Sequence, residues 1–120
     1  MPVNEPLPRA LEESLKRTLE LKRLYEEARA DCLKAHETLV TMVREQRFAR
    51  DHCDAQSSLS TSRRDELKAA LVSFRTTIPV MQQNYSAAEH RHQVAKHNWQ
   101  AASARLGEQY LEWKMRQDDG

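Results

Sequence analysis

The chain has 120 residues, and its 2 glycines and 4 prolines compare with about eight and about six in an average chain of this length. With 39% hydrophobic, 31% charged and 6% aromatic residues, it has the composition of long helices joined by a narrow apolar seam. Turn-rich β folds and enzymes that cradle phosphate in glycine loops are excluded. The net charge of +1 lacks the basic excess of a nucleic-acid-binding protein.

The N-terminal residues 1–7 contain Pro2 and Pro6, and Pro8 follows them. Because proline fits the first turn of a helix, we expect a flexible segment over 1–7 and a helix from residue 8. The segment lacks the basic and apolar stretches of a secretory signal, and no run approaches the roughly 20 apolar residues of a membrane span. We therefore expect a cytoplasmic protein that does not insert into membranes.

Hydrophobic residues recur at heptad spacing through two long segments, which predicts helices over 8–57 and 63–117 that form a coiled coil. In the first segment the two columns are Leu11, Thr18, Tyr25, Cys32, Leu39, Gln46, Cys53 and Leu7, Ser14, Leu21, Ala28, Ala35, Met42, Ala49, Gln56. In the second they are Leu71, Ile78, Tyr85, His92, Trp99, Leu106, Trp113 and Leu67, Phe74, Met81, Ala88, Ala95, Ala102, Gln109, Arg116. We call these positions the seam.

A hydroxyl-rich stretch separates the two segments, and we expect the turn at 58–62. Ser62 followed by Asp65 resembles a capping pattern for the second helix, and 118–120 is left as a C-terminal tail. A fold-back near residue 60 brings together seam residues whose numbers sum to 120. This register sets Tyr25 against Ala95 and repeatedly pairs large side chains with small ones. The predicted fold is all-α: two long helices in an antiparallel coiled-coil hairpin, 8–117.

Two residues interrupt the second helix. Pro79 removes one backbone hydrogen bond, so a kink is expected there. Gly107 costs about 1 kcal/mol relative to alanine, and it permits either fraying of the last turns or the close approach of a partner.

Side chains capable of catalysis or metal binding do not form a recognisable site. His90, His92 and His97 lack the i, i+4 spacing of zinc ligands on one helix. Cys32 and Cys53 lie on one seam column about 31 Å apart, too far for a disulfide, and are interpreted as structural thiols. We therefore predict no catalytic, cofactor or metal site and no enzymatic activity. A small enzyme or metal-binding protein that uses the histidines is the rival hypothesis.

Apolar residues outside the seam, together with aromatic residues near the open end, are the candidate partner-binding residues. Exposed apolar surface often marks an interface, although a thicker self-packed seam or scattered surface residues would account for it equally. Tyr110 and Trp113 near Leu7 and Leu11 either lock the termini or anchor a partner. The candidates are Leu15, Leu19, Leu33, Val40, Val43, Val72, Val80, Tyr110 and Trp113.

In its two heptad helices, short polar turn and balanced charge, the chain resembles the central-stalk proteins of bacterial flagellar and type III secretion export apparatus. The resemblance covers residues 8–117 as a pattern and includes no sequence motif, and Pro79 departs from an unbroken stalk. It implies a cytoplasmic hairpin whose open end enters a hexameric export ATPase and whose body contacts secretion chaperones. The alternative is a subunit of a homodimeric or hetero-oligomeric bundle, acting as adaptor or scaffold through Leu33, Val40 and Val43.

Overall fold

The computed structural model describes residues 7–55 and 60–119, with the backbone alone for Asp54, Ala55 and Asp119. Two helices, α1 (Arg9–Ala55) and α2 (Thr61–Asp119), account for all secondary structure in these ranges. They form an antiparallel helical hairpin, so the predicted all-α fold class is confirmed. Of the segment predicted to be flexible, residues 1–6 lie outside the described residues, as do residues 56–59 of the predicted turn and Gly120 of the predicted tail.

The observed helix ends differ slightly from those predicted. Helix α1 begins one residue after Pro8, whose carbonyl accepts the hydrogen bond of the Glu12 amide at 3.0 Å. Helix α2 begins at Thr61 rather than at 63, because Ser60 and not Ser62 is its N-cap. The Ser60 hydroxyl accepts a hydrogen bond from the Arg63 amide at 3.2 Å, as an N-cap side chain does. At its other end α2 continues through 118 and 119, since no glycine or proline precedes Gly120 there.

The chain divides into two compact units, each of which pairs a segment of α1 with a segment of α2. Unit 1 comprises Met1–Arg29 and Arg91–Gly120, and unit 2 comprises Ala30–His90. In both units the seam positions with described side chains are buried or half-buried, with Arg116 as the exception. The heptad assignment thus identifies the residues that α1 and α2 shield from water between them in each unit.

Contacts within each unit agree with the predicted register. In unit 1 the Thr18 hydroxyl donates to the Ser14 carbonyl at 2.8 Å and lies 3.5 Å from the carbonyl of Ala102, and 18 and 102 sum to 120. In unit 2 the rings of His36 and Tyr85 lie 5.3 Å apart, one residue from the predicted pairing of Ala35 with Tyr85.

Helix α2 is assigned without a break through Pro79, which is exposed beside the buried Ile78. The hydroxyls of Thr76 and Thr77 both donate to the Ser73 carbonyl at 2.9 Å. Pro79 therefore does not end the helix, and the kink remains a prediction.

Candidate functional site

The nine predicted partner-binding residues are divided between the two units. Leu15, Leu19, Tyr110 and Trp113 belong to unit 1, and Leu33, Val40, Val43, Val72 and Val80 belong to unit 2. Six of them are exposed, but Val40, Val43 and Trp113 are half-buried. Trp113 occupies a seam column, while Val40 and Val43 each follow a half-buried seam residue directly in sequence. These three side chains therefore contribute to the packing of their own unit as well as to its surface.

Unit 1 has an apolar groove along one side of its seam. The groove has a volume of about 400 Å³, and Leu7, Leu11, Leu15, Ser103, Leu106, Gly107 and Tyr110 line it. Leu11 is its most deeply buried member, with 5% of its surface exposed, whereas Tyr110 is 44% exposed. Leu7 was assigned to the flexible segment, yet it is half-buried and lines this groove. The predicted proximity of Tyr110 to Leu7 and Leu11 is confirmed.

Gly107 opens the wall of the apolar groove. A Cβ atom placed on this residue would have no neighbouring atom within 4 Å, and its backbone φ is not positive. No described atom therefore occupies the space beside the glycine. Of its two predicted roles, the approach of a partner is compatible with this open space, whereas fraying is not indicated, because the helix continues to Asp119.

On the other side of the same seam lies a second groove, which is more polar and which we call the cationic groove. It has a volume of about 510 Å³ and is lined by Ala10, Glu13, Ser14, Arg17, Thr18, Ala101, Ala102, Arg105 and Gln109. Sequence reasoning missed Arg17 and Arg105 as neighbours. The register contained the signal, because residues 17 and 105 sum to 122 and therefore lie at nearly the same level.

An aromatic stack fills the seam of unit 1 beyond these grooves. The Tyr25 ring stacks on His92 at 5.3 Å and on Trp99 at 5.1 Å between ring centroids. The register had set Tyr25 against Ala95, which lies between those two residues in sequence. The His92 Nε2 atom is buried and has no hydrogen-bond partner among the described residues, and the ring packs in the seam against Tyr25. His90 and His97 are exposed.

Unit 2 has exposed apolar residues of its own. Leu33 is 55% exposed and Val72 is 61% exposed. Phe48, which sequence reasoning did not select, is also exposed, and its ring lies 3.9 Å from that of His52. Cys32 is buried, Cys53 is half-buried, and both are free thiols, in agreement with the prediction that they are not linked.

Two pKa shifts arise mainly from contacts between neighbours on one helix. Arg23 donates to Glu20 at 2.6 Å and to Glu27 at 2.9 Å, and its hydrogen bond is the main reason why the pKa of Glu20 is lowered. In unit 2 the negative charge of Glu89, followed by burial, raises the pKa of Tyr85. Both shifts are of the kind that neighbouring charged groups produce.

Across the described part of the chain, no group of three or more His, Cys, Asp and Glu side chains could hold a metal ion. Within the same ranges, neither helix contains a segment long and apolar enough to cross a membrane. No family model matches the sequence, and comparisons with curated proteins and with solved structures yield no match either. The functional interpretation therefore depends on the surfaces of the two units.

Proposed function

We propose that this chain is a non-enzymatic protein-interaction component that binds an amphipathic helix of another protein in the apolar groove of unit 1. The observation that supports this function is the groove beside Gly107, with leucines on one wall and Tyr110 on the other. Helical partners typically insert apolar side chains spaced three, four and seven residues apart into such grooves. The lining on α2, from Ser103 to Tyr110, spans about 10 Å, which matches about two turns of a bound helix.

The chemistry of the lining favours an apolar occupant. Among the described lining residues, Ser103 and the phenol of Tyr110 contribute the only side-chain oxygens, and no described side chain reaches the space beside Gly107. An exposed tyrosine on a rigid helix supplies contact area at little cost in conformational entropy, and tyrosine is enriched among residues that dominate binding energy. Partner binding would cover apolar surface that the two-helix unit leaves in water.

The resemblance to secretion stalks gives this proposal a specific partner. In that family the open end of the hairpin enters a hexameric export ATPase, and unit 1 contains the beginning of α1 and the end of α2. The proposal then has unit 1 bind the ATPase and the remaining surface bind secretion chaperones, in the cytoplasm. Its support is the pattern of two heptad helices and balanced charge.

A second candidate function is that of a subunit in a homodimeric or hetero-oligomeric bundle, acting as adaptor or scaffold through unit 2. The exposed side chains of Leu33, Val72 and Val80 favour it. Two such units could bury these residues together, because a third or fourth helix is the usual cover for an apolar helix face.

Site-specific photo-crosslinking on the full chain tests the proposed function. A photoreactive residue at Ser103, inside the groove, is compared with one at Ala104, which is exposed outside it. We expect crosslinks to a partner from lysate, or to purified export ATPase, at position 103 and not at 104. Tyr110→Ser should remove them, whereas Leu111→Ser, which changes a 59% exposed residue outside the groove, should not.

Equal crosslinking at both positions, or crosslinks that survive Tyr110→Ser, would contradict binding in the apolar groove. Size-exclusion chromatography with light scattering measures the alternative. A dimer that Leu33→Ser dissociates, combined with no groove-specific crosslink, would favour the bundle subunit over the stalk.

A further inference from the structure

The cationic groove of unit 1 contains two arginines, Arg17 and Arg105, that form no ion pair with a described residue. Arg17 has Glu13 four residues before it and Glu20 three residues after it. Both carboxylates are bound elsewhere, Glu13 to Arg9 at 3.3 Å and Glu20 to Arg23 at 2.6 Å. Arg17 is consequently left without an ion-pair partner among the described residues.

Arg105 approaches the same groove from α2. The acid nearest to it on its own helix is Glu108, which forms no ion pair with it. Since 17 and 105 lie at nearly the same level of the register, the groove carries two like charges on facing walls. Like charges repel, and a carboxylate placed between two guanidinium groups would relieve that repulsion and accept charge-assisted hydrogen bonds from both.

The form of the groove indicates which kind of ligand would carry such a carboxylate. Its lining runs from Ala10 to Thr18 on α1 and from Ala101 to Gln109 on α2, a length of about 12 Å on each helix. The walls between the charged residues are alanine and serine, so a helix backbone can approach closely. The length of the groove matches two turns of a helix.

We infer that the cationic groove binds a second class of partner, an acidic helix with a carboxylate facing Arg17 and Arg105. This site lies on the opposite side of the seam from the apolar groove and is independent of the function proposed above. A long polyanion fits less well, because the carboxylate of Glu13 lies in the same groove. The positive charge is confined to the level of the two arginines.

The test uses the full chain and a fluorescein-labelled, alanine-based helical peptide of about 20 residues, a length at which such helices form. Its glutamates lie one turn apart on one face. The control peptide has glutamine in place of each glutamate. In fluorescence anisotropy we expect the acidic peptide to bind at least about tenfold more tightly than the control, because the arginine contacts are charge-assisted. Raising the salt concentration should weaken the binding of the acidic peptide and leave that of the control peptide unchanged.

Variants of the chain assign the binding to the groove. Arg17→Gln and Arg105→Gln should each lower the affinity for the acidic peptide by about fivefold or more. Arg29→Gln, which removes an exposed arginine of unit 1 outside the groove, should have little effect on that affinity. Ala101→Met fills the groove without altering a charge and should block the helix. Tyr110→Ser changes a residue that does not line the cationic groove and should leave this binding intact.

Three results would overturn the inference. Equal weakening by Arg29→Gln would show that net charge alone attracts the peptide. Binding of the acidic peptide that survives Ala101→Met would show that its carboxylates are bound without a helix lying in the groove. Equal affinity for the two peptides would exclude recognition of the carboxylate. Each of these results leaves the crosslinking test of the apolar groove unaffected.

Discussion

Replacing Gly107 with alanine should stabilise the protein. The residue lies inside α2, its φ is not positive, and an added Cβ would have no atom within 4 Å. The change therefore introduces no clash, and what remains is the helix propensity difference of about 1 kcal/mol, which includes the reduced backbone entropy of the unfolded chain. Small domains are stable by only about 5–15 kcal/mol, so the increase is measurable.

The nearby residue Ala104 provides the matched control, because it is an alanine at an exposed position of the same helix. The reverse substitution can therefore be made there. Ala104→Gly should destabilise by about 1 kcal/mol, and the double variant should return close to the wild type. Urea denaturation followed by circular dichroism measures all three. A Gly107→Ala protein that is less stable than the wild type would refute the reasoning, since it would mean that the glycine is needed for a backbone conformation or a contact that the structure does not contain.

Three further predictions concern the stack, the charged surface and the helix cap. Tyr25→Ala should lower the free energy of unfolding by about 2–4 kcal/mol, because it removes a half-buried ring with two stacked neighbours; a loss below about 0.5 kcal/mol in urea denaturation would show that the stack does not form. In an NMR titration the Glu20 carboxyl should have a midpoint below 4.5, and Arg23→Gln should raise it. Since the folded-state pKa of Glu20 is the lower one, the interaction stabilises the protein above pH 4.5 and is lost as the pH falls through the folded-state value. A midpoint that Arg23→Gln leaves unchanged would contradict the hydrogen bond as the cause of the shift. Ser60→Ala should destabilise by about 1 kcal/mol, whereas Ser62→Ala should cost less than about 0.5 kcal/mol; the reverse order would restore Ser62 as the cap.

The seam could be predicted from sequence because burial in a two-helix unit follows one periodicity. A residue every three or four positions must face the other helix, and this requirement is stronger than the preference of any single side chain. Thr18 illustrates the point. It is a polar residue in a seam column, yet only 7% of its surface is exposed. Its burial is tolerated because its hydroxyl donates a hydrogen bond to the Ser14 carbonyl.

The helix ends and the aromatic stack could not be obtained from the same periodicity. Several hydroxyl residues near the fold-back could cap α2, and the choice of Ser60 depends on which backbone amide its oxygen reaches. The register set Tyr25 against Ala95, but a large ring beside a small residue can move along the seam. It packs on the larger side chains of His92 and Trp99, where more surface is available for contact.

The differences between the two grooves arise from residues that lie outside the seam columns of the heptad pattern. Both grooves of unit 1 border the same seam, and Leu11 lines one while Thr18 lines the other. Their chemistry is set by the flanking positions, where one side carries Leu15 and Tyr110 and the other carries Arg17 and Arg105. Residues in the seam stabilise the hairpin in whatever role it has, so the choice of partner must depend on the flanks. If the two proposals above are correct, unit 1 binds two different helices, and the apolar and charged variants should then affect those two interactions separately.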